Sequence, residues 1–417
     1  MTTRPNTRQT FRGASLEALE GRALLSVSFS PYARYGVAGM PMAVAVGDFN
    51  GDGRRDLVTA NSFDNSASVL LGNGDGAFQA PRRIPTGYGP HAIAVGDLNA
   101  DGKLDLITAN QSGSTVSVLL GRGDGTFLNH VSFATGMSPW SVAVADLNGD
   151  GRQDLVTANT LGNNVSVLLG NGNGTFQAAT AYVAGSACDA VALGDLNGDG
   201  RTDIVAANRA DNNVSVLIGN GNGTFQTAVA YGVGSTPYSV AVKDLNGDGR
   251  QDLITANVAG QNVSVLVGNG NGTFQPAAFY GVGREPWSVA VQDIDRDGRP
   301  DLVTANAGSK NVSVLRGNGD GTFQPHLPFA TAGQPYSVAI GDLNDDGRPD
   351  VVTATGNIAE SAVGVLLNTT PSFPTPKFAT NPFRGSSGSA TTQQSPANGD
   401  EAAGDLAIVD ELSALAM

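Results

Sequence analysis

One block, Asp-x-Asn/Asp-x-Asp-Gly-x-x-Asp, opens at Asp48, Asp97, Asp146, Asp195, Asp244, Asp293 and Asp342, so the chain repeats itself every 49 residues. A fixed period of roughly 20–50 residues marks a fold built from stacked copies of one small unit, none of which can bury its apolar face alone. The unit therefore decides the architecture.

Each unit reads as four strands, called A to D. In the third they are Ser141–Val144, Asp154–Asn159, Val165–Leu169 and a run from Phe176 to Val183. Val142 and Val144 alternate with Ala143 and Ala145, giving strand A one bulky and one small face, as a crowded innermost strand would need. Between C and D lies Gly-Asn-Gly-Asn-Gly-Thr-Phe or a close variant, whose Asn-Gly and Asp-Gly pairs supply the positive φ of a tight hairpin. Period-two alternation and 56 glycines leave no helical stripe at 3.6 spacing. The class is all-β, and seven four-stranded units predict a seven-bladed β-propeller.

A ring of this kind must be closed. Phe29 and Tyr35 stand five periods before Phe274 and Tyr280, so residues 28–38 read as a D strand with no A, B or C ahead of it. The seventh unit lacks its glycine hairpin after Leu367, and we expect the N-terminal strand to complete it. The alternative is local closure by Phe373–Phe378, with prolines confining that strand to an edge. The expected organisation is an N-terminal segment over 1–27, the propeller over 28–383, and a Gly/Ser/Thr/Gln-rich linker with a short tail over 384–417, of which Asp405–Met417 could form an amphipathic helix.

The repeated block places oxygen-bearing side chains at positions one, three, five and nine, with glycine at six, around one point. That is the hard, all-oxygen environment of a calcium ion. The candidate ligands are Asp48, Asn50, Asp52 and Asp56; Asp97, Asn99, Asp101 and Asp105; Asp146, Asn148, Asp150 and Asp154; Asp195, Asn197, Asp199 and Asp203; Asp244, Asn246, Asp248 and Asp252; Asp293, Asp295, Asp297 and Asp301; and Asp342, Asn344, Asp346 and Asp350. In the third loop Gly151 allows the bend and the Arg152 carbonyl takes the seventh position. No bidentate Glu follows at position twelve, because Leu155–Ala158 reads as strand, so the setting is β-loop-β rather than helix-loop-helix. With no Cys or His in the loops, zinc is disfavoured, and magnesium would demand a tighter octahedral cage. The candidate ligands include 22 of the 38 acidic residues, and seven divalent ions would cancel the formal charge of −14. Ala100 and Asp345 alter the loop pattern without touching a ligand position, so about seven calcium sites are expected. Arg54, Lys103, Arg152, Arg201, Arg250, Arg299 and Arg348 follow the loop glycines and read as solvated cations offsetting the acids.

The repeats run Ser-Val-Ala-Val-x-Asp-Leu-Asn-Gly-Asp-Gly-Arg-x-Asp-Leu-Val-Thr-Ala-Asn and Gly-Asn-Gly-x-Gly-Thr-Phe-Gln. The chain thereby resembles the FG-GAP/VCBS repeat family over about residues 28 to 370. The resemblance implies a propeller similar to the integrin α-chain head, with calcium in loops between strands A and B on its lower face, and a role in adhesion or binding. Leu16–Ser26 also resembles a short N-terminal element of exported bacterial repeat proteins, which implies a secreted or cell-surface location.

On the opposite, upper face, one position just before strand A is occupied by Met42, His91, Trp140, Asp189, Tyr238, Trp287 and Tyr336. Two readings stand: the ring extends the packing face of strand A, or it recognises sugar or peptide. Blade four departs from the pattern with Cys188-Asp189, which reads as drift. Arg122-Gly123-Asp124 falls in a C–D turn and reads as turn chemistry, and Asn61, Asn110, Asn159, Asn208, Asn257 and Asn306, which end strand B, read as backbone caps.

The acidic charge argues against nucleic acid or an anionic membrane as partner, and no apolar run is long enough to span a bilayer. Only His91, His130 and His326 are present, with no Gly-x-Ser-x-Gly or His-Glu-x-x-His motif. The expectation is a monomeric, non-catalytic binding or scaffold propeller whose ligand is an extracellular polysaccharide or protein. A calcium-dependent polysaccharide lyase is the enzymatic alternative, and a rigid spacer the structural one.

Overall fold

The computed structural model describes residues 27–356 and 361–371. The expected export segment, the alternative closing strand at Phe373–Phe378, the linker and the tail lie outside these residues. Seven four-stranded antiparallel sheets follow one another in sequence. In blade one the strands are Pro41–Gly47, Asp56–Asn61, Ser66–Leu70 and Arg82–Pro85, and the next five blades repeat them at the sequence period. Strand D is shorter than expected: in blade three it covers Thr180–Val183, with Phe176 joined to Gly170 through an isolated bridge.

The alternation in strand A works between blades. Val142 and Val144, with Leu155 and Leu168, pack against Ala92, Ala94, Ile107 and Val118 of blade two. Ala143 on the other face, with Val156 and Val165, receives Val191, Leu193 and Ile204 of blade four. The bulky face of one blade thus fills the shallow face of its predecessor, and seven such clusters make the core. Fully burying each Leu, Ile or Val contributes about 1.5–3 kcal/mol.

The ring closes as expected. Ala33–Gly36 pairs antiparallel with Ala362–Leu366, Tyr35 facing Val363, so blade seven takes its outermost strand from the start of the chain. Pairing extends outward through Ser30 N–H to Leu367 O (2.7 Å) and Thr369 N–H to Ser28 O (2.8 Å). At Gly364, where other blades carry Ser, an added Cβ would lie 1.6 Å from the Tyr32 hydroxyl, and that hydroxyl is 3.1 Å from Thr353 Oγ1.

The C–D hairpin glycines serve two different ends. Gly172 and Gly174 hold φ of 73° and 77°, as the turn demands. Gly170, the first of the series, is needed for space, since a Cβ there would sit 2.1 Å from the Gln153 carbonyl oxygen.

The strand B asparagines correct the capping reading. Asn61 is fully buried; its Oδ1 accepts the Thr59 hydroxyl at 2.8 Å and its Nδ2 donates to Ser68 Oγ at 2.9 Å. Thr59 lies two residues back on the same face and Ser68 on the neighbouring strand, so the partners are side chains rather than turn backbone. Blade four has Ala206 where the others have Thr, and Asn208 Oδ1 is left buried without a partner. Ala206→Thr is expected to raise stability by about 1 kcal/mol, the usual net value of a satisfied hydrogen bond, as measured by urea unfolding; a loss of stability would show that the site cannot take the hydroxyl.

Candidate metal loops and an aromatic crown

Strands A and B leave their loops on one face. In loop three the Asp146 carboxylate closes the turn, Oδ1 accepting Gly149 N–H at 2.7 Å and Oδ2 accepting Gly151 N–H at 2.8 Å. Asn148 Oδ1 and Asp150 Oδ1 accept the amides of Asp150 (3.0 Å) and Arg152 (2.9 Å). Position one accepts the glycine amide at position six in every loop, at 2.7–2.8 Å. In loop six, ligand oxygens of Asp293, Asp295 and Asp297 lie within 4.8 Å of one another. The fourth residue of each loop is left-handed, and where it is Ala100 (φ 57°), Arg296 (φ 60°) or Asp345 (φ 56°) no glycine relieves the strain. A calcium ion fits the donor set on its chemistry: carboxylate and amide oxygens, with neither nitrogen nor sulfur ligands.

The ninth-position aspartates have a second role that the spacing did not reveal. Asp154 Oδ2 accepts Leu147 N–H at 2.9 Å and Oδ1 accepts Gly170 N–H at 2.7 Å, tying the loop to the C–D hairpin sixteen residues on. The same pair of bonds recurs at Asp56, Asp105, Asp203, Asp252 and Asp301, and at Asp350, where Asn368 N–H replaces the glycine. Burial raises these carboxyls above the ordinary range, to about 6 at Asp105, Asp203 and Asp350 and about 7 at Asp301. Of the trailing bases, Lys103, Arg152, Arg201 and Arg348 reach back to the fifth-position carboxylate of their own loop, in keeping with the charge-offset reading. Asp124 is spent inside its turn on Thr126 N–H (2.9 Å), so Arg122-Gly123-Asp124 is turn chemistry.

The other face carries the aromatic positions. Each sits at a register shift one residue into strand A, between Pro139 and Ser141 in blade three, which releases the side chain from the ladder. The rings form a continuous series: His91 to Trp140 (3.7 Å between centres), Trp140 to Tyr238 (6.3 Å), Tyr238 to Trp287 (4.5 Å) and Trp287 to Tyr336 (5.2 Å). Trp140 reaches Tyr238 two blades away because Asp189 between them is small. Met42 and His91 are buried, while Trp140, Tyr238, Trp287 and Tyr336 are half-buried. The polar atoms His91 Nε2, Trp140 Nε1 and Trp287 Nε1 are buried with no hydrogen-bond partner among the described residues. With Nδ1 of the neutral His91 ring donating to the Trp140 carbonyl oxygen, Nε2 is an unpaired acceptor, while the two indole N–H groups are unpaired donors, each costing about 1–3 kcal/mol when left so.

Blade four's departure is not isolated drift. Asp189 is fully buried, its Oδ1 accepting the Thr160 hydroxyl at 2.7 Å and its Oδ2 accepting Arg209 Nε. The Arg209 guanidinium carbon lies 5.4 Å from the centre of the Tyr238 ring. Arg209 and Thr160 were not among the sequence-derived candidates; both occupy the position directly after the strand B asparagine, where Arg209 is the only charged residue in the seven blades.

No curated protein matches the chain. Among solved structures it is similar to an Agrocybe aegerita lectin described as recognising non-reducing terminal N-acetylglucosamine (20% identity, TM-score 0.50, 83% of this chain and 87% of that one). It is similar also to BBS1N in complex with ARL6DN (14%, 0.59, 84% and 99%) and to virginiamycin B lyase from Staphylococcus aureus (10%, 0.56, 82% and 99%). At these identities the likeness is one of fold. An FG-GAP-like repeat model matches residues 48–108, 97–157, 146–206, 195–255, 244–304 and 293–353. A ring of seven blades carrying these repeats belongs to the FG-GAP-like repeat family, whose propeller supports a binding or scaffold role.

Proposed function

We propose that this propeller is an exported, calcium-loaded binding module, acting as a monomer, whose upper face takes an extracellular polysaccharide or protein. The observation that carries the reading is the crown of half-buried Trp and Tyr rings with unpartnered buried N–H groups: stability is given up at one place on a rigid scaffold, the usual mark of a binding site. Calcium is supported by the seven superposable oxygen-donor loops on the opposite face, where it would hold the blades without touching the ligand.

The same residues speak against catalysis. Burial holds His91 down to about 3 and pushes the Cys188 thiol up, leaving neither as a proton-transfer group or nucleophile near neutral pH. Ser313 and His326 Nδ1 lie 2.9 Å apart, but the serine is fully buried and accepts Asn306 Nδ2 at 2.9 Å, so no substrate reaches it.

Both tryptophans of the chain, Trp140 and Trp287, stand in the crown, so their fluorescence reports directly on occupancy. Trp140→Ala/Trp287→Ala is expected to weaken ligand retention on glycan and protein arrays by about 30-fold or more, with the far-ultraviolet spectrum unchanged. Retention equal to that of the parent chain would remove the crown from the binding site.

A further inference from the structure

We propose that Arg209 anchors a subsite on the upper face for a carboxylate borne on a sugar ring, a uronate; this deepens the ligand reading above and rests on it. The guanidinium is fixed from behind. Its Nε edge is taken by Asp189, whose other oxygen is held by the Thr160 hydroxyl. The side chain of Asp189 is 1% exposed and that of Arg209 35%. The two terminal nitrogens of Arg209 have no partner among the described residues, and together they present the fork that accepts a carboxylate through two parallel hydrogen bonds.

A buried ion pair is a poor choice for stability, because a well-packed apolar pair of similar volume does as well or better. At the equivalent strand A position the other blades carry Met, His, Trp or Tyr, which shows that an uncharged side chain suffices there for the fold. What the pair does provide is orientation: one rotamer of a long, flexible side chain, held over Tyr238. Asp189 and Thr160 are accordingly positioning residues, and Arg209 the contacting one.

The surroundings select the carrier of the carboxylate. Tyr238 lies next to Arg209 and has Trp140 and Trp287 on either side at 6.3 and 4.5 Å. Flat faces of this kind take the C–H face of a pyranose, and a uronate bears its carboxylate directly on that ring. An acidic peptide carries its carboxylate on a thin flexible stem with no face to offer.

The test is an isothermal calorimetric titration of the calcium-loaded protein with digalacturonate and with its methyl ester. The acid is expected to bind at least about tenfold more tightly, the worth of a charge-assisted bidentate contact, and to lose that advantage as salt is raised. Arg209→Lys keeps the charge opposite Asp189 but loses the fork; it is expected to weaken acid binding about tenfold with the melting temperature unmoved. Asp189→Asn/Arg209→Gln, which strands no buried charge, is expected to bind acid and ester alike. Equal affinity of the parent chain for acid and ester, unchanged affinity in Arg209→Lys, or no binding of either sugar would overturn the proposal. So would tighter binding of acetyl-Glu-Glu than of digalacturonate, in favour of a protein partner. Ester binding that is lost in Trp140→Ala/Trp287→Ala but indifferent to Arg209 would sink the subsite alone and leave the crown reading intact.

Discussion

Excess chelator is expected to lower the melting temperature of this protein by on the order of 10 °C or more at pH 8. An ion that binds only the folded state at a hundred times its Kd adds about 2.7 kcal/mol per site, and several loops share the load. The pH dependence carries a second signature. In the metal-free protein, burial raises Asp105, Asp203 and Asp350 to about 6 and Asp301 to about 7, above the ordinary carboxyl value of 3.8. Between those limits the folded state binds more protons than the unfolded one, so stability falls as pH rises. The contribution is fully present below the unfolded value and lost once pH passes about 7. Calcium, bound as proposed, would supply the compensating positive charge instead. Melting curves with chelator and with calcium should therefore converge towards pH 5 and separate above about pH 7. Identical melts at pH 8 would remove metal from the account of stability.

The second large effect concerns closure. Deleting residues 1–37 removes the strand that pairs with Ala362–Leu366, together with Val27, Tyr32 and Tyr35, which pack in the clusters between blades six, seven and one. The new edge strand would present an unpaired ladder to other molecules. The expected result is a melting temperature lower by about 10 °C or more, or outright aggregation. A subtler variant isolates the joint. Gly364→Val collides with the Tyr32 ring and is expected to cost about 2–4 kcal/mol. Gly364→Ser/Tyr32→Ala, which restores the serine found in the other blades, should recover part of that loss. Unchanged protection of the Ala362–Leu366 amides against hydrogen exchange in the deletion variant would mean that another segment closes the ring.

Much of this was legible beforehand because blade structure is local. Alternating Val and Ala in strand A, Asn-Gly hairpins and the spacing of the aspartates each state a backbone or burial requirement within a few residues. Even closure could be read, since Phe29 and Tyr35 stand in the phase of strand D with nothing ahead of them. The oxygen donors of the loops were visible for the same reason: they fall within nine consecutive residues. Where a residue's role depended on a neighbouring strand the reading failed, as with Asn61, assigned to the turn beside it but bound to Thr59 and Ser68.

The sequence alone therefore determined the repeat, the four-stranded unit, the donor-rich loops and the half-unit that closes the ring. Tertiary structure decided what meets across the ring. Trp140 approaches Tyr238 two repeats away, Asp154 reaches a hairpin amide beyond two strands, and Asp189 finds Arg209 just past the end of the next strand of its own blade. Periodicity reports which way a side chain faces, but only the radial curvature of seven packed sheets brings equivalent positions from different blades together, and there a single departure such as Asp189 changes the chemistry of the whole face.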